Sequence, residues 1–582
     1  MTTALIVLSR DSHILVISCF NAPIGENGFI FMTERFHRII PLIKRNDPII
    51  NSLNLCSIDL TDDMVRQLIE GLNNNSFISK IVLTHNTLGE ESCALIFELL
   101  LKNPKLVHLE ITDNRLSNNS IIFLANVLKR LPRNRESIML NLRSNEFSFE
   151  GAAALADAIS CNVPVHWLDL RYNSNIGDKG VEKIAYSLSK NTVLTGLDLI
   201  KCGCSELGAA ALSDALLDNS TLTTLLLQDD LSYAAIRPLG SLLSDPSCSL
   251  QALYLWRCNL TGSLLEVLCK SMRNNRRLTT LALSYNKLDD AGGVFIADMI
   301  LKNRSLTKLH LGANYFSPTT SGFFGVALAK NNTLQFLDLS RNYFRSIGVW
   351  PITVALMDNH ELKSIDLRHN RIDSSGVEML SELLQTNDSL RSLRLSGNPF
   401  DDSSISLFAQ RLVDNKTLKE VELNEIGIGS PGFISICQAL KQNNTLEKLF
   451  LSGNLISTDA LKAFADLLTY NSSLSSISMS GCGISDAGCR FIESGIMSNS
   501  TLRYLDVSKN EIHTSGMKCI MDSLQGNYSL LQIDWQENPF LSEDNSDFIK
   551  ERITDFLERN NYYQHNLLMK DMSLLVNDTQ FM

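Results

Sequence analysis

Apolar positions recur along this chain at a nearly fixed step. Aligned on one residue per repeat, Leu53, Ile81, Leu109, Leu140, Leu168, Leu197, Leu225, Leu253 and Leu281 are followed by Leu309, Leu337, Ile365, Leu393, Val421, Leu449, Ile477, Leu505 and Ile533, eighteen repeats in all. The step is 28 residues, apart from 31 before Leu140 and 29 before Leu197. The first half of each repeat alternates as L-x-L, the period of a strand with one buried face. All 36 central positions, from Leu53 and Leu55 to Ile533 and Trp535, are apolar. The second half changes to helical spacing, as in Val377, Leu380 and Leu384 at i, i+3 and i+7. Asp or Ser just ahead of these segments can accept the free N–H groups of a helix start.

One strand and one helix bury too little surface to stand alone, so neighbouring repeats must stack into a shared core. The expected fold is α/β: a solenoid of 28-residue β-α units with one parallel sheet and the helices on the other side.

Two asparagine positions punctuate the pattern. The first follows the strand in twelve repeats, for example Asn86, Asn286 and Asn510, with Cys at 202, 258 and 482 and departures at Ile58, Asp230 and Ile426. A buried amide there can pair with the backbone of a turning chain, and stacking would make a ladder of such bonds. The second lies at the helix end in sixteen of seventeen inter-strand segments, among them Asn303, Asn331, Asn359, Asn387 and Asn415. Asn tolerates left-handed backbone, so a helix-ending cap is expected there. Nine Asn-x-Ser/Thr sequons, such as Asn219-Ser-Thr and Asn443-Asn-Thr, recur at this position and are read as backbone geometry rather than glycan sites.

The 28-residue helical unit, the L-x-x-L-x-L strand and the Asn/Cys position, as in Leu334-Gln-Phe-Leu-Asp-Leu-Ser-Arg-Asn342-Tyr-Phe344, resemble the ribonuclease-inhibitor type of leucine-rich repeat over roughly residues 50–540. The resemblance implies a horseshoe with the sheet on its concave face and the helices on its convex face. Its members include ribonuclease inhibitor, the leucine-rich arms of NLR sensors, and the GTPase-activating protein of Ran.

Residues 1–48 read as an N-terminal cap built from a degenerate repeat, 49–540 as about eighteen repeats, and 541–582 as a C-terminal cap helix and tail. The cap combines strand-like Ile14–Phe20 with a helix around Phe31–Lys44. Phe548, Ile549, Ile553, Phe556 and Leu557 form the apolar stripe expected of the last helix, and Leu567, Leu568, Met569, Met572, Leu574 and Leu575 either pack as a final helix or form a binding segment.

Lys plus Arg number 52 and Asp plus Glu 63, a net charge of −11, against the basic footprint that nucleic acid or an anionic membrane requires. No run reaches the roughly 18–20 apolar residues of a membrane span. The apolar stretch Ala4–Leu8 lacks a basic n-region and is too short for a secretory signal. Thirteen cysteines fall without zinc or paired spacing, as expected of reduced thiols in the cytoplasm. No nucleotide loop, zinc-protease helix or nucleophile elbow is present, so neither catalysis, a cofactor nor a metal is expected.

What varies is the outward side of the strands. The fifth repeat places Trp167, Asp169, Arg171 and Tyr172 there, the eighth Tyr254, Trp256 and Arg257, the ninth Tyr285, and later repeats Phe336, Phe450 and Tyr504. Aromatic side chains with Arg are what interface hot spots favour, whereas lateral packing across the sheet is the plainer use for them. Glu420, Glu422 and Glu425 form a second candidate patch, and the insertion carrying Lys129, Arg130, Arg133 and Arg135 a third. The expected function is a non-catalytic protein-binding scaffold or regulator that holds a protein partner on the concave face. The alternatives are a GTPase-activating or enzyme-inhibiting regulator, or a sensor or effector acting in host cytosol.

Overall fold

The computed structural model describes residues 5–8, 15–18, 36, 39–46, 50–73 and 75–578, with side chains described between residues 36 and 564. Each of the first seventeen repeats forms a strand of three to five residues and then a helix of ten to thirteen. Two compact units divide the chain, residues 1–287 with 303–306 and residues 288–302 with 307–582.

In the first unit the parallel ladder runs from Ile50–Asn54 to Thr280–Ala282, and it pairs each aligned apolar residue with its counterpart: Leu53 with Ile81, Leu109 with Leu140, Leu225 with Leu253. The second unit repeats this from Lys308–His310 to Gln532–Asp534, with Leu309 against Leu337 and Leu449 against Ile477. Of the 36 central strand positions, 35 are buried, and only Trp535 in the last repeat is half-exposed. Val377, Leu380 and Leu384 face the same core from the helix side. Some helices start on the expected caps, with Thr61, Ser117, Asp373 and Asp401 each accepting a first-turn N–H, whereas Ser148, Ser205 and Ser485 at the same place make no such bond.

At the N-terminal end, Leu5–Leu8 pairs antiparallel with Leu15–Ser18, which joins Ile50–Asn54 in parallel. Most of the expected cap between residues 1 and 48 lies outside the described residues. At the other end one helix spans Ser546–Asp578; Ile549, Ile553 and Leu557 are buried, whereas Phe548 stands in solvent. The side chains of Leu567, Leu568, Met569, Met572, Leu574 and Leu575 lie outside the described residues.

The strand-end asparagines form the expected ladder, and each rung serves the repeat before it. Asn398 Nδ2 donates to the Leu367 carbonyl (3.0 Å) and to its own Leu395 (2.7 Å), while its Oδ1 accepts from the Asn370 and Ile372 N–H groups at 2.9 and 3.1 Å. Where Cys replaces Asn, the thiol retains the donor half of this role, and Cys202, Cys258 and Cys482 Sγ reach the Leu170, Leu227 and Leu451 carbonyls at 3.0, 3.5 and 3.4 Å. The described cysteines are all free.

Of the helix-end asparagines, Asn162 takes the expected left-handed backbone, φ 56°, and the others depart from expectation. Asn387 and Asn471 have extended backbone, φ −79° and −81°, not left-handed. They form a second ladder instead. Asn443 Nδ2 donates to the Leu412 and Asn415 carbonyls of the preceding repeat at 2.7 and 2.9 Å, and its Oδ1 accepts from Thr445 and Leu446 N–H. At the insertion, the Arg135 guanidinium takes this place, bonding the Leu100, Asn103 and Leu106 carbonyls. At the C-terminal helix, Arg559 and Asn560 do the same for Leu524, Asn527 and Leu530.

Left-handed backbone occurs elsewhere: in seventeen of the eighteen repeats the residue just before the strand-end Asn position has positive φ. Glycine fills it at 397, 453 and 481, but Tyr172, Arg257 and Tyr285 hold it at φ 60°, 50° and 60°.

Candidate protein-binding face

The left-handed residue turns the chain out of the strand and throws its side chain to the rim of the sheet, so what occupies it is displayed rather than packed. In the first compact unit Tyr172 is exposed there, with Arg143 Cζ 4.8 Å and Lys201 Nζ 5.1 Å from its ring centre. Tyr285 is exposed with Arg257 4.9 Å from its ring centre. Both are cation–π contacts that fix the phenol without covering it. Along the eighth strand, Tyr254 and Trp256 are half-buried and meet edge to face at 5.4 Å.

Trp167, one strand position deeper in the fifth repeat, is also half-buried, but its indole lies flat over the next strand at Gly196, where any β-carbon would collide with it. Its role is therefore partly lateral packing. Asp169 is buried beneath Arg171, which grips it through Nε (2.9 and 3.1 Å) and Nη2 (2.5 Å) and reaches Asp198 at 3.1 Å. Burial and the neighbouring Asp169 push the Asp198 carboxyl up to about 7.

That shift has a sign that can be checked. Between its ordinary value near 3.8 and about 7, the folded chain holds a proton on Asp198 that the unfolded chain has released. This contribution to stability is complete below pH 4 and lost as pH rises through 7. Asp198→Asn carries the neutral form at every pH, so its stability relative to wild type is expected to rise by roughly 2–4 kcal/mol from pH 4 to 7.5. Urea unfolding of the two proteins at both pH values measures it, and parallel curves would show that Asp198 is an ordinary carboxylate.

In the second compact unit Phe336 is half-buried against His310, ring centres 4.8 Å apart. Phe450 and Tyr504 are half-buried on their own strands. Asp366 and Arg368 reproduce the Asp169–Arg171 clamp, with Nε–O distances of 2.9 and 3.0 Å. The Glu420–Glu422 pair is neutralised rather than presented: Arg394 binds Glu420 at 2.9 Å and lies 3.7 Å from Glu422, Lys448 is 3.6 Å from Glu420, and Arg368 is 3.4 Å from Glu422. Glu425 alone of that patch is exposed.

Arg143, Lys201, Arg368 and Arg394 were not singled out from sequence. Their signal lies in the repeat register, since Tyr172 is 29 residues from both Arg143 and Lys201, Glu420 is 26 from Arg394 and Glu422 is 54 from Arg368, while Asp366 lies in Arg368's own repeat.

The leucine-rich-repeat family model matches residues 102–125, 164–185, 274–297, 358–381, 386–409, 470–492 and 498–521. The chain carries leucine-rich repeats of the ribonuclease-inhibitor type. Among curated proteins, NACHT, LRR and PYD domains-containing protein 14 of Mus musculus is 31% identical over 240 residues, covering 41% of this leucine-rich-repeat chain and 24% of that protein. Ribonuclease inhibitor of Mus musculus is 27% identical over 259 residues, covering 44% and 56%, and that of Sus scrofa 27% over 274 residues, covering 47% and 59%. The leucine-rich-repeat chain thus spans about a quarter to somewhat over half the length of these relatives.

Proposed function

We propose that the chain is a non-catalytic scaffold that recognises a protein partner through the strand side of its first compact unit. One observation carries this reading: at the left-handed position, which three repeats fill with glycine and most with small, polar or charged residues, Tyr172, Arg257 and Tyr285 display two exposed phenols and a guanidinium. An L side chain there costs roughly 1–2 kcal/mol, a cost that most repeats accept, so what sets these three apart is their exposed aromatic and Arg chemistry. Together with Tyr254 and Trp256 these residues supply the aromatic-plus-Arg composition of interface hot spots. Phe336, beside His310, belongs to a smaller patch of the second compact unit. Arg171 and Asp169 support the floor, with the carboxylate out of a partner's reach. The relatives named ribonuclease inhibitor agree with a binding role, and the cytoplasm is the compartment that free thiols suit. No helix among the described residues is long and apolar enough to cross a membrane.

The test pairs Trp256→Ala with Tyr285→Gly. Capture of the principal partner is expected to fall at least about tenfold for each. Tyr285→Gly is expected to leave stability unchanged or raise it by up to about 1 kcal/mol, because glycine accepts the left-handed turn. Binding assays beside thermal melting read both effects, and undiminished capture by the double variant removes the strand side from consideration. Inhibition of a ribonuclease, or acceleration of GTP hydrolysis in a small-GTPase panel, would favour the narrower role of enzyme regulator.

A further inference from the structure

Five exposed apolar side chains of the second compact unit lie on two consecutive helices, away from the strands. Phe323 and Val326 lie on the helix Pro318–Leu328, which contains no charged residue, and Ile347, Trp350 and Val354 on the next helix, Arg345–Met357, whose one charge is Arg345 at its start. Ile347 is 71% exposed, Val326 59% and Trp350 57%, far beyond what core packing leaves open. The following helix shows what the repeat normally puts there: Glu378 and Glu382 hold the places, 28 residues on, that Trp350 and Val354 occupy. A continuous apolar face rimmed by charged neighbours marks an interaction surface.

The repeat register says what fits it. Twenty-eight residues before Trp350 lies Gly322, at the equivalent height on the adjacent helix, exposed and with open space around the position of a β-carbon. Val326 precedes Val354 by the same step, and Thr319 precedes Ile347. A projecting indole and a notch thus stand side by side at one level. A two-fold axis running parallel to the two helices and midway between them would lay each helix over the other's counterpart. Trp350 of one copy would then fall on Gly322 of the second, and Val354 on Val326, with no like charges facing across the axis. Self-complementarity of this kind is what an isologous contact requires.

We propose that this helix face is a homodimer interface, with Trp350 of each copy seated at Gly322 of the other. The exposed parts of these five side chains amount to roughly 500–600 Å² of apolar surface per copy. Two copies therefore cover about 1,000–1,200 Å², the lower end of specific interfaces, as befits a weak, concentration-dependent dimer. The assignment is independent of the strand-side reading, since the two surfaces share no residue.

Sedimentation velocity of the full chain from about 1 to 100 µM is the test. The wild type is expected to pass from monomer to dimer over this range. Gly322→Leu fills the notch while improving helix propensity, and Trp350→Glu removes the projecting ring. Each is expected to weaken dimerisation by about 100-fold or more, whereas Glu378→Gln, just outside the face, leaves it unchanged. A wild type that stays monomeric at about 100 µM overturns the proposal and leaves the face to a different protein. A Gly322→Leu variant that dimerises as tightly as wild type overturns it as well, whatever Trp350→Glu does to folding.

Discussion

Asn398→Ala is expected to destabilise the protein by about 3–6 kcal/mol. The side chain is fully buried and makes four hydrogen bonds, to the Leu367 and Leu395 carbonyls and from the Asn370 and Ile372 N–H groups. Alanine leaves these groups in a dry interior, at about 1–3 kcal/mol for each that finds no other partner. Asn398→Cys should recover about half of the loss, because the thiols of Cys202, Cys258 and Cys482 already reach the same carbonyl but offer no comparable acceptor. Urea unfolding gives the ranking, and hydrogen exchange at Asn370 and Ile372 shows where protection is lost. An alanine variant within about 1 kcal/mol of wild type would mean that the ladder is ornamental.

A second large effect is expected when the chain is fused to a secretory signal and sent through the endoplasmic reticulum. The nine recurrent sequon asparagines, from Asn219 to Asn527, are all buried, and each Nδ2 donates to a helix-end carbonyl one repeat earlier at 2.7–2.8 Å. A sugar on that nitrogen takes the place of a bonding hydrogen and brings a bulky polar group to a site without room for one. Nine such losses exceed the roughly 5–15 kcal/mol by which domains are stable. The lumenal protein is therefore expected to be glycosylated and retained unfolded. Proline after each of these asparagines abolishes their acceptor sequences, and Pro104 after Asn103 is an existing proline at that place. That variant keeps the ladder amides and is expected to be secreted with a native melting curve. Native secretion of the unaltered chain, with or without glycans, would contradict the role given to these amides.

The repeat, its strands and helices, and the strand-end amide ladder were all legible, because each rests on an apolar or polar residue recurring every 28 positions. The helix-end Asn was misread for a physical reason. Its tolerance of left-handed backbone suggested a cap, which Asn162 forms, yet the recurring left-handed place belongs to the residue before the strand-end Asn. Residues as different as His85, Lys201, Tyr285 and Glu537 fill it, and their only common property, a positive φ imposed by stacking, leaves no trace in composition. The outward strand residues were found, but not their partition. Asp169 is buried under Arg171, and Trp167 is shared with Gly196. The apparent acidity of Glu420 and Glu422 disappears because Arg394 lies 26 residues before Glu420, a diagonal neighbour across the sheet. Only the register joined to side-chain reach shows such pairs.

The direction of the ladder bonds bears on how the protein is made. Asn398 completes the turn of residues 370–372, and Asn443 closes the helix end at Leu412, so where the ladders run a repeat is finished by the one translated after it. A chain leaving the ribosome therefore carries a single incomplete turn, always at its newest end, and each further 28 residues seal it while opening the next. Synthesis stopped part-way would release a molecule sound along its length and raw only at its last coil, the place that Arg559 and Asn560 dress after the eighteenth repeat.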